Sequence, residues 1–346
     1  MTHELKQIIQ GYLNARHLGL HCVLATVVDL DGSSYRRPGV RMLINEHGHM
    51  TGAVSGGCVE KEILKQANSV FKTGVPKMMT YDGRYRLGCE GILYILIEKF
   101  APSDELLIAF DEILQNRTVF TIKSEFTRTP GEDSRLGSVC ELGSLGSFSF
   151  GAKKVLKDKD KSSALKVFEQ KLNPCFHLMI IGAEHDASQL SLMAASLGWD
   201  VTVVVSPSSP QILTDFPGSQ VLEKTIPSEL KLDRVDDNTA VVLMTHSYVK
   251  DLDFLFQLIK SRPCYIGLLG PSNRRERMLN DLIEKFPSIN EEIFDLMFGP
   301  AGLNIGAETP QEIALSICSE ILSITRGQEP KSLKDKIGRI HLNTKL

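Results

Sequence analysis

An α/β protein of two domains is what this sequence predicts, and three observations carry the prediction. In the second half, short apolar runs alternate with helical stripes; in the first half, strands at hairpin spacing surround helical stripes; and a charged stretch lies between them. The expected fold is an N-terminal mixed α+β domain followed by a Rossmann-like doubly wound parallel-sheet domain. Length agrees, because 346 residues exceed what one hydrophobic core usually sustains. The expected boundaries are 1–150 for the first domain, 151–174 for a charged linker, 175–327 for the second domain and 328–346 for a flexible tail.

In the first domain, Leu5, Ile8, Ile9, Tyr12 and Leu13 recur at helical spacing over residues 4–16, and Cys22 to Val28 is an apolar, β-branched run suited to a buried strand. A polar loop follows, Asp29 to Gly39, with two glycines, a proline and two arginines. Loops of that composition bind anions or simply turn. Val40, Met42 and Ile44 alternate with Arg41, Leu43 and Asn45, Glu46-His47-Gly48 turns the chain, and His49 to Ser55 runs back as the second strand of a hairpin. His47 and His49 at its tip read as exposed polar residues.

The hairpin ends in Ser55-Gly56-Gly57-Cys58-Val59-Glu60, where the pattern changes to a helical stripe of Val59, Ile63, Ala67 and Val70. Cys58 therefore belongs at the first turn of a helix. Unbonded amides and the positive end of the helix dipole favour a thiolate there, the form that acts as nucleophile or soft metal ligand. A small buried cysteine is the bland alternative. Glu60 would oppose the effect if its carboxylate lay beside the sulfur. A second cysteine, Cys89, stands between Gly88 and Glu90-Gly91, just before the apolar run Ile92 to Ile97. Thr118 to Phe126, Leu136 to Leu142 and Leu145 to Phe150 are further strand candidates, with Cys140 in the core.

From Gly151 to Asn173 lysines and aspartates alternate, which reads as a solvated connector. Beyond it, His177 to Ile181, the turn Gly182-Ala183-Glu184-His185, a stripe through Leu190, Met193, Ala194 and Leu197, and Trp199 to Val205 make a strand, turn, helix and strand. Strands at Ala240 to Met244 and Tyr265 to Leu269 alternate with helices at Leu252 to Ile259 and Arg274 to Phe286. The dinucleotide fingerprint is damaged, however. Glu184 stands in the second glycine's place, Ser188 near the third's, and the next strand ends in Val205-Ser206-Pro207 rather than an acid. Tight NAD(P) binding is therefore not expected, although Gly182, His185, His246 and Arg274 fall at the ends of strands where such sheets hold ligands. Thr309-Pro310-Gln311-Glu312 is a capping box that opens a last helix striped by Ile313, Ile317, Ile321 and Ile324, with Cys318 in its core face.

Composition excludes several function classes. With 39 basic and 42 acidic residues and a net charge of -3, no basic stripe marks a nucleic-acid surface. No apolar run approaches the roughly 20 residues that span a bilayer, and the charged N-terminus lacks a signal-peptide core, so no membrane partner and a cytoplasmic location are expected. Seven scattered cysteines suggest reduced thiols, and no CxxC, HExxH or EF-hand pattern marks a standard metal site.

Taken together, Gly32-Ser33-Ser34 with Arg37-Pro38-Gly39 and Met42, Ser55 to Glu60, and Leu87-Gly88-Cys89-Glu90-Gly91 resemble the XdhC/CoxI family, maturation factors of xanthine and carbon monoxide dehydrogenases. Tyr265 to Gly270 and Gly302 to Ala314 extend the resemblance over nearly the whole chain. It implies a chaperone that binds molybdenum cofactor (molybdopterin), supports exchange of an oxygen on the metal for sulfur together with a cysteine desulfurase, and delivers the cofactor to an apo-molybdoenzyme of the xanthine dehydrogenase type. A factor of this kind, and a homodimer by analogy, would have no turnover chemistry of its own. Residues 1–150 would then handle the cofactor: Cys58 and Cys89 would meet the metal or its sulfur, Arg37, Arg41 and the Gly56-Gly57 amides would hold the anionic part, and Ser55 would also contact the cofactor. Gly182, His185, His246 and Arg274 are the second-domain candidates. The sequence departs from the family pattern at Glu184, Ser206 and Glu90. The rival reading is an NAD(P)-dependent oxidoreductase built on the Rossmann-like domain, and a third is an adaptor without cofactor.

Overall fold

A computed structural model of the protein describes residues 1–32, 37–55, 57–85, 91–151 and 165–335, with Cys58 and Tyr85 described by their backbone. Gly56 and Cys89, most of the Lys-rich connector and the end of the tail lie outside the described residues. The chain forms two compact units, one over residues 1–174 and one beginning at Cys175.

In the first unit, helix α1 (Thr2–His17) precedes β1 (Cys22–Gly32), β2 (Arg41–Asn45), β3 (Met50–Gly52), α2 (Cys58–Thr73), β4 (Lys77–Asp82) and β5 (Gly91–Lys99). Helix α3 (Asp104–Gln115) and strands β6 (Phe120–Phe126), β7 (Gly131–Glu132), β8 (Gly137–Glu141), β9 (Ser147–Ser149) and β10 (Lys166–Leu172) follow. They make two antiparallel sheets, ordered β3-β2-β1-β5-β4-β7 and β10-β6-β8-β9. Ala25 of β1 pairs with Met42 on one side and Ile97 on the other. Because successive strand residues face opposite ways, Val23, Ala25 and Val27 join Met42, Ile44 and Ile97 under the α2 stripe of Val59, Ile63, Ala67 and Val70. Each of the larger side chains buried there contributes roughly 1.5 to 3 kcal/mol. Leu24 and Leu43 point the other way, onto Leu5, Ile8 and Tyr12 of α1.

Three sequence expectations change here. The return strand of the hairpin is three residues, not His49 to Ser55, because Val54 and Ser55 give their amides to a side chain instead of a strand. Residues 166–172, which charge alone places in the connector, are the edge strand β10, paired along their length with β6; the exposed Lys166, Glu169 and Lys171 are the charges an edge strand carries. Helix α3, begun by the Ser103 hydroxyl accepting the Leu106 amide at 3.3 Å, has no counterpart among the expected elements.

The second unit contains β11 (His177–Ile181), α4 (His185–Ser196), β12 (Asp200–Val205), β13 (Val221–Lys224), β14 (Thr239–Leu243) and α5 (Tyr248–Leu258). It continues with β15 (Tyr265–Leu268), α6 (Ser272–Lys285), α7 (Glu292–Asp295), β16 (Met297–Phe298) and α8 (Pro310–Thr325). The strands form one parallel sheet ordered β13-β12-β11-β14-β15-β16. Leu178 and Ile180 of β11 face α4 and α8, while Met179 and Ile181 face α5 and α6. The sheet is thus covered on both sides, as parallel sheets are, and its order reverses between β11 and β14.

Candidate functional site

The first-unit site is the loop that enters α2. Gly57 has φ 114°, a backbone conformation that L side chains rarely adopt, and the helix starts at the next residue, Cys58. Glu60, the third residue of the helix, is 7% exposed and turned back into the loop. One of its oxygens accepts the Val54 amide at 3.1 Å and the Ser55 amide at 2.5 Å; the other accepts the Gly57 amide at 2.7 Å. Three donors from this loop are therefore fixed by one buried carboxylate. Read in sequence, Glu60 is only a charge near the thiol; a Glu three residues after Gly57 is the signal that points to its capping role.

This geometry corrects two expected anion contacts. The amides of Ser55 and Gly57 are already occupied by Glu60, so they do not form a cradle for an external anion. Arg41 is also elsewhere. It alternates with Met42 on β2 and so lies on the face away from α2, 5% exposed, donating to Gly39 O at 3.0 Å and Gln170 Oε1 at 2.5 Å. Burial pulls its pKa down to about 10, with Cys140 and Glu98 acting against the shift. Arg37 is partly exposed, just ahead of the Pro38-Gly39 turn.

At the end of β1, Arg128 donates to Asp29 at 2.8 Å and Asp31 at 2.9 Å and lies 4.8 Å from the centre of the Tyr94 ring. Its pKa is raised, first by the hydrogen bond to Asp29. The end of β1 is pinned by this group. Cys22, Cys140 and Cys318 are buried and form no disulfide: burial pushes Cys22 up to about 11 and Cys140 and Cys318 up to about 12. Among the described residues no cluster of three or more His, Cys, Asp or Glu could hold a metal ion.

In the second unit, Gly182 sits in the turn after β11, His185 is the first residue of α4, and His246, at φ 57°, lies in the turn after β14. The fold brings these turns together: His246 Nε2 is 3.9 Å from Asp186 Oδ2, and a Cβ on Gly182 would lie 2.5 Å from Met244 O. Gly182 is required by that close approach. The fingerprint's third position is Ala187, not the expected Ser188; it is fully buried between helix and sheet and fills that position's packing role. Glu184 remains the departure, an exposed N-cap whose side chain makes no capping bond.

Arg274 is not placed to hold a phosphate. It is ion-paired with Asp251, a residue 1% exposed that also accepts the Thr245 amide at 3.1 Å and hydroxyl at 2.7 Å. Nothing in the sequence pattern singles out Asp251, because its partners come from the turn after β14 and from α6.

The chain matches two family models: one described as XdhC and CoxI family over residues 15–82, and one described as XdhC Rossmann domain over residues 178–321. It is 28% identical to a probable xanthine dehydrogenase subunit of Bacillus subtilis, over 87% of this chain and 92% of that one. It is 26% identical to the molybdenum cofactor insertion chaperone PaoD of Escherichia coli, over 96% of this chain and 92% of that one. A crystal structure described as a xanthine dehydrogenase from Bacillus halodurans superposes with a TM-score of 0.76 at 24% identity, covering 93% of this chain and 97% of the other, and shares the fold. With a match in each unit, the two together spanning most of the chain, this protein belongs to the XdhC and CoxI family.

Proposed function

We propose that this protein is a maturation factor that binds molybdenum cofactor, supports its sulfuration with a cysteine desulfurase, and hands it to an apo-molybdoenzyme of the xanthine dehydrogenase type. The observation that carries the reading is Cys58 on the first residue of a 16-residue helix, behind a glycine turn that Glu60 holds in one geometry. A thiol carried at a helix start is biased toward thiolate, and thiolate is a soft ligand suited to a metal with sulfur ligands or to sulfur in transit. The relative named as a molybdenum cofactor insertion chaperone, aligned along 96% of this chain, supports the same reading.

The donor set fits such a cofactor, which brings two sulfur ligands of its own and asks the protein for a single soft contact rather than a closed cage. When bound, the cofactor supplies the molybdenum centre on which the client's chemistry runs. Cys58 is the contact proposed for the metal or its sulfur, with Cys89 second and Arg37 facing the anionic part. The protein acts in the cytoplasm, and as a homodimer.

The test is anaerobic purification from cells that make the cofactor, with molybdenum and pterin measured on wild type and Cys58→Ser. Cofactor on the wild type and a large loss on the variant are expected. A wild type that stays empty when saturated with free cofactor would sink the reading.

A further inference from the structure

The second unit holds a cleft of about 410 Å³ that the maturation reading does not use. It opens at the carboxyl ends of β11, β12, β13 and β14, beside the point where the strand order reverses, where open α/β sheets bind ligands. Its volume is in the range of small-molecule sites. We infer that this cleft binds a nucleoside that carries no 5′-phosphate, a site separate from the cofactor contact in the first unit and independent of it.

The walls suit a flat base. Val205, Ile226, Pro227 and Phe254 supply apolar surface from two strand ends and from α5, and Ile226 is 43% exposed. Polar groups lie around these walls, as they do in ligand sites.

Two features set the ligand's charge and extent. Gln211 Nε2 donates to Ala183 O at 3.3 Å, which ties the loop after β12 to the turn that starts α4, and Lys224 Nζ donates to Ser209 O at 2.7 Å, which ties the same loop to β13. That turn is where a dinucleotide's pyrophosphate would pass. Glu184 in the same turn lines the cleft with a carboxylate not spent on capping. A carboxylate accepts hydrogen bonds from the hydroxyls of a ribose and repels a phosphate at the position where the fingerprint's second glycine would receive one. Lys250 also lines the cleft, so the lining carries one charge of each sign and best matches a ligand that is neutral with both donors and acceptors.

Calorimetry on the full-length protein with adenosine, guanosine, cytidine and uridine, each beside its 5′-monophosphate, tests the inference. At least one nucleoside should bind saturably at one site, with its monophosphate at least about tenfold weaker. Glu184→Gln should narrow or reverse that preference. Ile226→Trp, which fills the cleft, should abolish binding while a thermal melt shows the variant folded. No saturable binding by any of the four nucleosides, tighter binding of a monophosphate to the wild type, or binding that survives Ile226→Trp would each overturn it. Because the readout is nucleoside affinity, failure here leaves the molybdenum and pterin measurement untouched.

Discussion

Glu60 and Gly57 are joined by a hydrogen bond of 2.7 Å from the glycine amide to the carboxylate, and the same side chain accepts the amides of Val54 and Ser55. The start of helix α2, and so the place of Cys58, depends on this one residue. Glu60→Ala should leave three amides without their acceptor and lower stability by about 2 to 4 kcal/mol. Glu60→Gln, which keeps one acceptor oxygen, should lose less. Thermal and urea denaturation rank the variants, and equal stability of all three proteins would contradict the role.

Gly57→Ala and Gly182→Ala should fail for different reasons. Among the described residues nothing lies within 4 Å of a Cβ at Gly57, so there its φ of 114° is what resists, at a cost of about 1 to 3 kcal/mol. At Gly182 the added carbon meets Met244 O at 2.5 Å and must push the β11 turn away from β14. The second variant should therefore lose nucleoside binding, whereas the first should retain it. Calorimetry on both variants separates backbone strain from collision.

Arg41 is held on the face of its sheet opposite α2, so Arg41→Met should leave molybdenum and pterin content at the wild-type level. Its stability should fall by about 1 to 3 kcal/mol, because the swap leaves the buried Gln170 carbonyl without its donor. A variant that folds normally but comes out without cofactor would restore Arg41 to the site. Asp251→Ala should behave in the opposite way, costing about 3 to 5 kcal/mol by stranding Arg274 in a mostly buried position. The double variant Asp251→Ala, Arg274→Met should recover part of that loss.

The buried thiols make a pH-dependent contribution whose sign is fixed. Cys140 is raised from 9.0 to about 12 by burial, so the folded state keeps a proton that the unfolded state gives up at lower pH. The associated stability is complete below pH 9 and is lost as pH rises from there toward 12. Cys318 behaves alike. Stability measured against pH should therefore fall more steeply above about pH 9 for wild type than for Cys140→Val. In the native protein near about pH 8, iodoacetamide should label Cys58 well before Cys22, Cys140 or Cys318. Mass spectrometry of the labelled peptides reads the order, and prior labelling of Cys140 or Cys318 would count against a reactive thiol at Cys58.

Local signals that act within a few residues are legible in the chain. The apolar run of β1, the alternation of β2, the stripe of α2 and the capping box of α8 each state their structure in one window of sequence, and all four are found. Strand β10 is not legible, since its lysines and glutamates show only that one face is wet, and the fact that β6 lies alongside is not written in residues 166–172. Among site residues, the placement of Cys58 at a helix start is readable from Gly57-Cys58-Val59 and the stripe behind it. The fates of Arg41 and Arg274 are not, because a guanidinium reads the same whether it meets a ligand, as expected for both, or Gln170 and Asp251, as found.

By itself the sequence determined the fold class, the alternating order of the parallel-sheet unit, the family and the position of Cys58 on its helix, because each follows from periodicity or from contiguous motifs. Tertiary structure alone decided that Glu60 occupies the loop amides, that Arg41 turns into the interior with Gln170, and that Glu184 faces a cleft built by four strand ends. Those outcomes depend on which distant segments fold against one another, and hydrogen-bond donors and charges are committed only when that packing brings their partners within about 3 Å.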